Sequence, residues 1–527
     1  MVETLASRFA LDDGARSEIL LRSRQCAALT KPWVLPPESQ TSNQSLPETF
    51  QSVGATGVTA MESRLLLSIY PPDRPFFTLA LPASIEYAQD VAPEYKQALK
   101  DKLFLIELAV QAVLESAALM PKSNKQVMGF RNAKRASISH CLITGESLER
   151  INPDFTISII RRDNYVSRRD SSGNVVYHII REMVDPAGLS DDVLAKSELK
   201  REDFENLPHE RREKAMYTIC QWQPATLRWI VRQELNDRAI TENEYVRSPY
   251  NCTTYELTPP EHYGRGWIEM NFGELRSLNE LNARMLDYAG IASKLLWVKD
   301  ASSRVRAEDL AKPNGSMFVA RVLGGQVQDV AMLRAEKMQD FSVVANMIGT
   351  MRQNLGKALG LETDATPRGD RVTAFQAARV GAEVEMTQGG PYAAIAEENQ
   401  LPMLRYMLHE MQVQNLIPVL PDNSIEIRTL TGLSALERNS QLEKVLSLAQ
   451  TLSQFGPEML GRINLDILAG VIARYGGVYE DGLIKSPRQV QQEQQAAMQQ
   501  QAAMAATQKG IDVMGNAAEQ ALMPQPQ

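Results

Sequence analysis

The residues of this chain whose types and spacing could support metal or nucleotide chemistry are two His-Glu pairs and one segment bounded by glycines. A zinc-protease helix carries a second histidine four residues after the first, but Glu213 follows His209 and Val413 follows His409 at that distance. The segment Gly349 to Lys357 places six residues between its glycines, whereas a phosphate-binding P-loop has four. These patterns predict neither a zinc site nor a nucleotide site.

Nucleophilic and paired-carboxylate catalysis are equally poorly supported. No Gly-x-Ser-x-Gly sequence occurs, and no carboxylate pair stands out among 64 acidic residues. The cysteines Cys26, Cys141, Cys220 and Cys252 form no Cys-x-x-Cys pair and have no zinc or disulfide-framework spacing, which predicts free thiols, mostly buried, in a reducing compartment. We therefore expect no catalytic residues, no metal and no cofactor.

The positive charge is local rather than global. The chain has 56 Lys and Arg against 64 Asp and Glu, a formal net charge of −8, which excludes a basic, histone-like nucleic-acid binder. The segment Pro121 to Arg135 contains no acidic residue and carries five basic ones: Lys122, Lys125, Arg131, Lys134 and Arg135. This segment could contact a phosphate backbone, although a solvated surface loop is the favoured interpretation.

Two smaller groups of basic residues would define a binding site only if several copies of the chain are arranged around an axis. Arg304, Arg306 and Lys312 form one group, and Arg368 and Arg371, which follow Pro367, form the other. One arginine per subunit would then form a ring of positive charge.

The elements that must position these residues begin with helices. Helical patterns cover three N-terminal segments: Arg8 to Leu29, Gln51 to Ile69 and Glu94 to Met120. Proline-rich stretches separate them. In the most apolar stretch, Leu103 to Met120, a polar stripe of Glu107, Gln111 and Glu115 predicts an amphipathic helix rather than a membrane span.

From Phe155 to about Pro260 the pattern alternates and predicts a strand-rich module. A β-hairpin is expected from Ile157–Ile160, through a turn at Ser171–Asn174, to Val175–Ile180. Further strand-like pieces are Ala215 to Gln223 and Thr226 to Val231.

Long helices dominate the rest of the chain. Apolar residues recur with helical spacing over about 28 residues from Gly266, and again from Met338 to Leu359. The remaining expected elements follow in chain order: a small insert at Trp297–Lys337 with a strand-like Met317–Ala320, a polar loop at Leu361–Arg371, a helix from Thr373 to about Gln414 kinked at Gly389–Pro391, a strand at Ser424–Arg428, helices at Leu436–Leu452 and Ile463–Tyr475, and a Gln-, Ala- and Met-rich tail.

This order of elements resembles a portal protein, the head-to-tail connector of short-tailed bacteriophages. Sequence segments that carry the resemblance are Gln51 to Pro72, the hairpin with Arg169-Asp170 and Gly173 to Val175, Tyr263 to Gly266 leading into Gly273 to Leu281, and Gly369 to Ala374. The resemblance extends from about Ala15 to Lys485, and the tail after Ser486 departs most from it.

The resemblance implies an α+β, mainly helical fold that assembles as a ring. The implied parts are a wing at 1–266, a stem helix at 267–296, a clip at 297–337, a second stem helix at 338–360, a tunnel loop at 361–371, a second part of the wing at 372–435, and a crown with a C-terminal tail at 436–527. Lone stem helices leave apolar stripes uncovered, so subunit packing is expected at Phe272, Leu275, Leu278, Met285, Phe341, Ile348 and Leu355.

The resemblance also implies a function and partners. A dodecamer at one capsid vertex would pass double-stranded viral DNA without sequence specificity, with Pro367, Arg368 and Arg371 at the channel and Arg304, Arg306 and Lys312 on the clip surface. Implied partners are the terminase, the tail adaptor and tail tube, the major capsid and scaffolding proteins, and internal core proteins, with no membrane. The protein would be assembled in the host cytoplasm and reside in the virion. Alternatives are another ring-forming head-tail adaptor, or a helical scaffold without a DNA role.

Overall fold

The computed structural model divides the chain into two units, Met1–Leu433 and Ser434–Gln527. Of the second unit it describes only Ser447 and Gln450. Of the first it describes residues 4–429 apart from these positions: 39, 41–43, 72–75, 87, 89–91, 117–127, 293–295, 300–304, 307, 309–316, 318, 324–325, 328–329, 334–337, 362–389 and 420–424. The predicted helices at 436–452 and 463–475 therefore lie outside the described residues, apart from Ser447 and Gln450.

Two helices open the chain where the sequence predicted one. Helix α1 spans Leu5–Ala15 and α2 spans Ser17–Ala28. The break falls at Arg16, whose backbone leaves the helical region with φ −103° and ψ 10°. The Arg16 side chain is only 1% exposed and donates a hydrogen bond to the backbone carbonyl of Arg162. Arg16 makes this long-range contact at the point where the predicted single helix is interrupted.

Several helices contribute buried residues to the main hydrophobic core, among them α3 at Val53–Ile69, α5 at Pro93–Ser116 and α6 at Phe130–Thr144. Ile85 of the short helix α4, Ala83–Glu86, packs against this core. Helix α5 buries Ile106 and Val110, as its amphipathic pattern predicted. The predicted polar stripe is not solvent-exposed at Glu107. This residue is 8% exposed, and its carboxylate accepts a hydrogen bond from the backbone amide of Leu79.

Two antiparallel sheets build the strand-rich module. Their strands are β2 at Glu146–Ile151, β3 at Ile157–Ile160, β4 at Tyr165–Arg169, β5 at Val175–Val184, β6 at Lys214–Gln223, β7 at Arg228–Leu235, β8 at Arg238–Tyr245 and β9 at Tyr250–Thr254. One sheet has the order β3-β2-β9, and the other has the order β4-β5-β6-β7-β8. Three short helices connect β5 to β6: α7 at Asp191–Lys196, α8 at Glu202–Glu205 and α9 at His209–Arg212.

The predicted hairpin is correct at its turn and wrong in its first strand. The backbone turns between Asp170 and Asn174, and Val175 opens β5 as expected. The partner of β5 is β4, whereas the predicted strand Ile157–Ile160 pairs with β2 in the other sheet. A 3-10 turn at Arg162–Asn164 separates β3 from β4 and lets the chain change sheets.

The first long helix is shorter than predicted. It begins as α10, Trp267–Met270, breaks at Asn271, and continues as α11, Phe272–Ala292. At 21 residues, α11 is about 32 Å long at 1.5 Å per residue. Helix α12, Met338–Ala358, agrees with its prediction to one residue.

The insert between these helices contains four short strands among its described residues. Strand β10 at Leu296–Lys299 pairs with β13 at Val330–Leu333, and β11 at Val322–Leu323 pairs with β12 at Gln326–Val327. Met317, Val319 and Ala320 belong to no strand, so the strand predicted there is wrong for these residues.

The last described elements return to the N-terminal half. Helix α13 spans Gly390–Val413 and begins within the predicted Gly-Gly-Pro kink, with Pro402 inside it. Strand β14, Glu426–Thr429, pairs antiparallel with β1, Phe77–Ala80. The part of the predicted kinked helix before Gly390 lies outside the described residues.

Candidate functional site: the stem helices and their anchors

The predicted stem helices α11 and α12 contact each other, and each packs against the main hydrophobic core. The rings of Tyr288 and Phe341 have centroids 4.0 Å apart, at an interplanar angle of 36°. Leu275 and Leu278 of α11 and Leu355 of α12 are at most 1% exposed and belong to the core cluster. Burial inside the subunit leaves these three side chains no surface for a neighbouring subunit.

Other apolar side chains of α11 and α12 remain exposed. Leu286 is 59% exposed on α11, while Val343 and Met347 are 66% and 53% exposed on α12. Val343 and Met347 are four residues apart and therefore share one helix face. Both helices therefore carry apolar side chains that the described subunit does not cover.

The C-terminal end of α12 is fixed against α3. Leu359 is fully buried, and a Cβ added to Gly57 of α3 would come within 2.9 Å of Leu359 Cδ1. The helix ends at Ala358, and Gly360, two residues later, has a φ of +64° in the left-handed region that favours glycine. The amide of Leu361 donates to the carbonyl of Gly356 at 2.7 Å, so the last turn is closed directly before residue 362.

Helix α13 is anchored by three consecutive polar residues, Glu398, Asn399 and Gln400. One carboxylate oxygen of Glu398 accepts hydrogen bonds from the amide and the hydroxyl of Thr254 at 2.9 and 2.8 Å. The Gln400 amide donates to the carbonyl of Ile69 at 2.6 Å, at the end of α3. These contacts tie one turn of α13 to β9 and to α3.

Asn399 is the centre of the buried network. Its side-chain amide donates to Glu149 at 3.1 Å and to the hydroxyl of Thr253 at 2.8 Å. Its side-chain oxygen accepts from Lys134 Nζ at 2.7 Å and from the hydroxyl of Tyr70. Four segments distant in sequence therefore meet at one side chain.

A second buried network surrounds Glu146 on β2. The carboxylate lies 3.2 Å from Arg162 Nη1 and 3.9 Å from Arg169 Nη2. Burial alone would raise the pKa of Glu146, but the two guanidinium groups outweigh it and lower this pKa to about 2. Burial also lowers the pKa of His178, which shares a hydrogen bond with Ser167, to about 4.

Gly264 and Gly266 allow a close backbone approach in the segment Tyr263 to Gly266, which carried part of the family resemblance. A Cβ at Gly264 would approach the carbonyl oxygen of Gly145 to 2.5 Å, and one at Gly266 would approach those of Ile143 and Leu142 to 2.8 and 2.9 Å. The segment therefore packs backbone to backbone against the end of α6, directly before α10 begins.

The described residues give no geometric support for metal chemistry or membrane spanning. Among them, no group of three or more His, Cys, Asp and Glu side chains is placed to hold a metal ion. None of the helices searched there is both long and apolar enough to cross a bilayer. The predicted free thiols are confirmed, with Cys26, Cys141 and Cys220 buried and Cys252 partly exposed. The site thus consists of positioned helices and packing surfaces.

Comparison with known proteins identifies the family. The family model described as bacteriophage head to tail connecting protein matches residues 2–484. This chain belongs to that family. It is 26% identical to the portal protein of Enterobacteria phage T3 over 488 residues, covering 89% of this chain and 86% of that protein. It is 24% identical to the portal protein of Escherichia phage T7 over 518 residues, covering 95% and 92%.

A third relative agrees with these two. The portal protein of Enterobacteria phage SP6 is 24% identical over 494 residues, covering 91% of this chain and 89% of that protein. The resemblance to portal proteins of short-tailed bacteriophages, inferred from the sequence, is confirmed by these matches and by the family model. The mixed helix and strand content of the described residues agrees with the predicted fold class.

The predicted channel and clip residues are only partly described. Pro367, Arg368 and Arg371 of the predicted tunnel loop, and Arg304 and Lys312 of the clip, lie outside the described residues. Arg306 is described and is exposed. Their roles remain predictions.

The predicted stem-packing residues divide into two groups. Leu275, Leu278 and Leu355 are core residues of the subunit, and Phe272 and Ile348 pack against the same core. Met285 of α11 and Phe341 of α12 are partly exposed, and they lie outside the stretches of these helices that pack against the core.

The favoured interpretation of the basic segment as a solvated surface loop is wrong from Phe130 onwards, where α6 begins, and for Lys134 the DNA-contact interpretation is wrong as well. Lys134 is completely buried, and its ammonium lies 2.6 Å from Glu149. Arg131 donates a hydrogen bond to the carbonyl of Tyr70 at 2.6 Å. Both cations are used inside the subunit because α6, which was not predicted, turns them towards the core. Lys122 and Lys125 lie outside the described residues.

Sequence reasoning missed the anchors Gly57, Gly360, Asn399 and Gln400. The one available signal was the polar run Glu398 to Gln400 within an otherwise apolar helical pattern. Polar residues at core positions of a helix indicate a buried network when partners exist elsewhere in the fold, and the partners here lie on distant segments.

Proposed function

We propose that this protein is the portal of a short-tailed bacteriophage, a dodecameric ring at one capsid vertex through which double-stranded DNA is packaged and later ejected. The observation that carries the proposal is the match of the connector family model to residues 2–484. Alignment with portal proteins over most of their length supports the same role for the whole chain. The protein acts as a structural conduit and not as an enzyme.

Ring assembly is supported by the exposed apolar surface of the stem. Leu286, Val343 and Met347 are more than half exposed in the subunit, and a neighbouring copy related by the ring axis would cover them. Met285 and Phe341 contribute to the same packing. The buried residues Leu275, Leu278 and Leu355 instead hold the stem to its own subunit.

The proposed parts follow the chain order. Residues 1–266 and 372–435 form the wing, 267–296 and 338–360 the stem, and 297–337 the clip, while 361–371 form the tunnel loop and 436–527 the crown and tail. The paired α11 and α12, with the small strands between them, support the stem and clip assignment. The closed end of α12 at Leu361 supports a separate loop beginning there.

Charge would keep the DNA mobile in the channel. A subunit of net charge −8 repels a duplex and prevents tight binding, while Arg368 and Arg371, beside Pro367, would touch phosphates without reading sequence. Twelve copies would place these cations around the DNA. Arg304, Arg306 and Lys312 would lie on the clip surface.

The implied partners are those of a portal vertex. The clip would face the terminase during packaging and the tail adaptor and tail tube afterwards, and the wing would contact the major capsid, scaffolding and internal core proteins. The protein would be assembled in the host cytoplasm and remain in the virion.

A packaging assay tests this proposal. Procapsids assembled with and without this protein are supplied with terminase, ATP and genomic DNA, and nuclease-protected DNA is measured. We expect protection only in procapsids that contain the protein. Equal protection without it would refute the proposed channel function.

A further inference from the structure

Helix α3 contacts the chain on both sides of residues 362–389, the segment that contains the proposed tunnel loop. The described chain reaches this segment at Leu361, after α12, and leaves it at Gly390, where α13 begins. Near its start α3 meets Leu359, and at its end it meets Gln400. We infer that α3 is a strut that fixes the spacing between the end of α12 and the middle of α13, the two helices that flank segment 362–389, with Gly57, Gly360 and Gln400 as positioning residues.

The first contact leaves no room for adjustment. The Leu359 side chain lies where a side chain at Gly57 would be, since an added Cβ would meet Leu359 Cδ1 at 2.9 Å and Cβ at 3.0 Å. About two turns of α3 further along, Arg64 covers Gly360, where an added Cβ would lie 2.8 Å from Arg64 Nη1. Real Cβ atoms do not approach other atoms so closely, so Gly57 requires glycine in this arrangement, while Gly360 favours glycine because its φ is +64°.

Gly349 provides a comparison within α12. Gly349 lies in the same helix, and an added Cβ there would meet nothing within 4 Å. The added side chain would thus be accommodated at Gly349 but not at Gly57, against which the end of α12 packs.

The second contact lies at the other end of α3. Gln400 is fully buried and donates to the carbonyl of Ile69, the last residue of α3, at 2.6 Å. The next residue, Tyr70, donates its hydroxyl proton to Asn399. The last carbonyls of a helix have no intrahelical partner, so the Gln400 amide satisfies a group that α3 itself leaves unpaired.

The length of α3 then sets the spacing. Gly57 and Ile69 are separated by about 18 Å along the helix at 1.5 Å per residue. The helix is itself held in place, because Lys31 forms a buried ion pair with Glu62 at 2.6 Å and Gly54 packs under the carbonyl of Leu29. A rigid element with a fixed contact at each end defines the distance between the segments it touches.

A distance measurement tests the strut. Spin labels are attached to Lys357→Cys and Glu397→Cys, two exposed positions that flank the segment, in rings diluted with unlabelled subunits. The parent chain is the labelling control for the native thiols. We expect one narrow distance distribution, and we expect Gly57→Leu to shift or broaden it.

Two further variants make the result interpretable. Gly349→Leu is the matched control, since it adds the same side chain to a glycine with open surroundings, and it should leave the distribution unchanged. Gln400→Met removes the hydrogen bond to Ile69 with little change in volume, and it should broaden the distribution even if Gly57→Leu fails to fold. A distribution unchanged in Gln400→Met and in folded Gly57→Leu would overturn the inference.

The inference rests on the proposed channel assignment for its functional meaning, and the packaging assay separates the two. If the distances change and packaging or DNA retention falls in the same variants, both are supported. If the distances change while packaging matches the Gly349→Leu control, α3 is a strut but residues 361–371 do not form the channel constriction.

Discussion

The ammonium of Lys134 lies 2.6 Å from the carboxylate of Glu149, and the two side chains are at most 1% exposed. Burial lowers the pKa of Lys134, and Glu149 opposes this effect. The pair joins α6 to β2, and both partners also bond Asn399 of α13. A charge pair within the core thus fixes the helix that follows the proposed channel segment.

Breaking this pair on one side should be costly. Lys134→Met leaves the Glu149 carboxylate buried without its cation, so we expect a loss of about 3–5 kcal/mol in the free energy of unfolding. The measurement is urea denaturation at neutral pH. The double variant Lys134→Met/Glu149→Leu, which removes both charges, should recover much of this loss. An equally unstable double variant would contradict this explanation.

Acidification should destabilise the subunit through two buried histidines. Burial lowers the pKa of His140 and of His178 from the ordinary 6.5 to about 4. Between pH 6.5 and 4 the unfolded chain binds protons that the folded chain does not, so stability falls as pH falls through this window, by about 3 kcal/mol per histidine. Unfolding free energies measured across this range should show a shallower slope for His178→Gln, and an unchanged slope would count against the buried neutral state.

Substitutions on the stem should separate ring assembly from subunit folding. Val343→Glu/Met347→Glu places two charges on an exposed apolar face, so we expect a folded subunit that does not form rings. Leu278→Glu buries a charge in the core and should instead unfold the subunit. Circular dichroism and light scattering distinguish these outcomes. Rings formed by Val343→Glu/Met347→Glu would exclude this face from the interface.

The close backbone contact at Gly266 should be sensitive to one methyl group. Gly266→Ala would press a Cβ against the carbonyls of Leu142 and Ile143, and we expect a loss of about 1–3 kcal/mol in unfolding free energy. Gly273→Ala is the control, since nothing lies within 4 Å of its added Cβ. Equal stabilities of the two variants in urea denaturation would contradict the packing described here.

The two arginines of the proposed tunnel loop should affect DNA and not assembly. Arg368→Ala/Arg371→Ala removes the cations proposed to touch phosphates, so we expect normal rings with reduced packaging or retention of DNA. Nuclease-protected DNA per procapsid is the readout. Packaging at the level of the unsubstituted protein would remove these residues from the channel assignment.

Local periodicity was sufficient to predict much of the helical framework. The apolar repeat placed α12 correctly to one residue and α3 to two residues at its start. It failed where a long-range contact interrupts a helix, as at Arg16, whose guanidinium bonds the backbone of Arg162. Pairing between β1 and β14 joins segments about 350 residues apart, and no local pattern carries that information.

The candidate site was predicted less well than the framework because its anchors depend on partners. Lys134 and Glu107 were assigned to solvent since charged residues are seldom buried without a partner, and their partners lie on other elements. Gly57 and Gly360 are ordinary glycines in the sequence, and only the positions of Leu359 and Arg64 show why a side chain would not fit.

Electron microscopy of the purified full-length protein, with the rotational symmetry left free during averaging, tests the central claim most directly. We predict end-on views of a closed ring of twelve subunits around an open axial channel. A protein that stays monomeric at every salt and protein concentration, or a closed assembly without an axial opening, would contradict the proposed portal function.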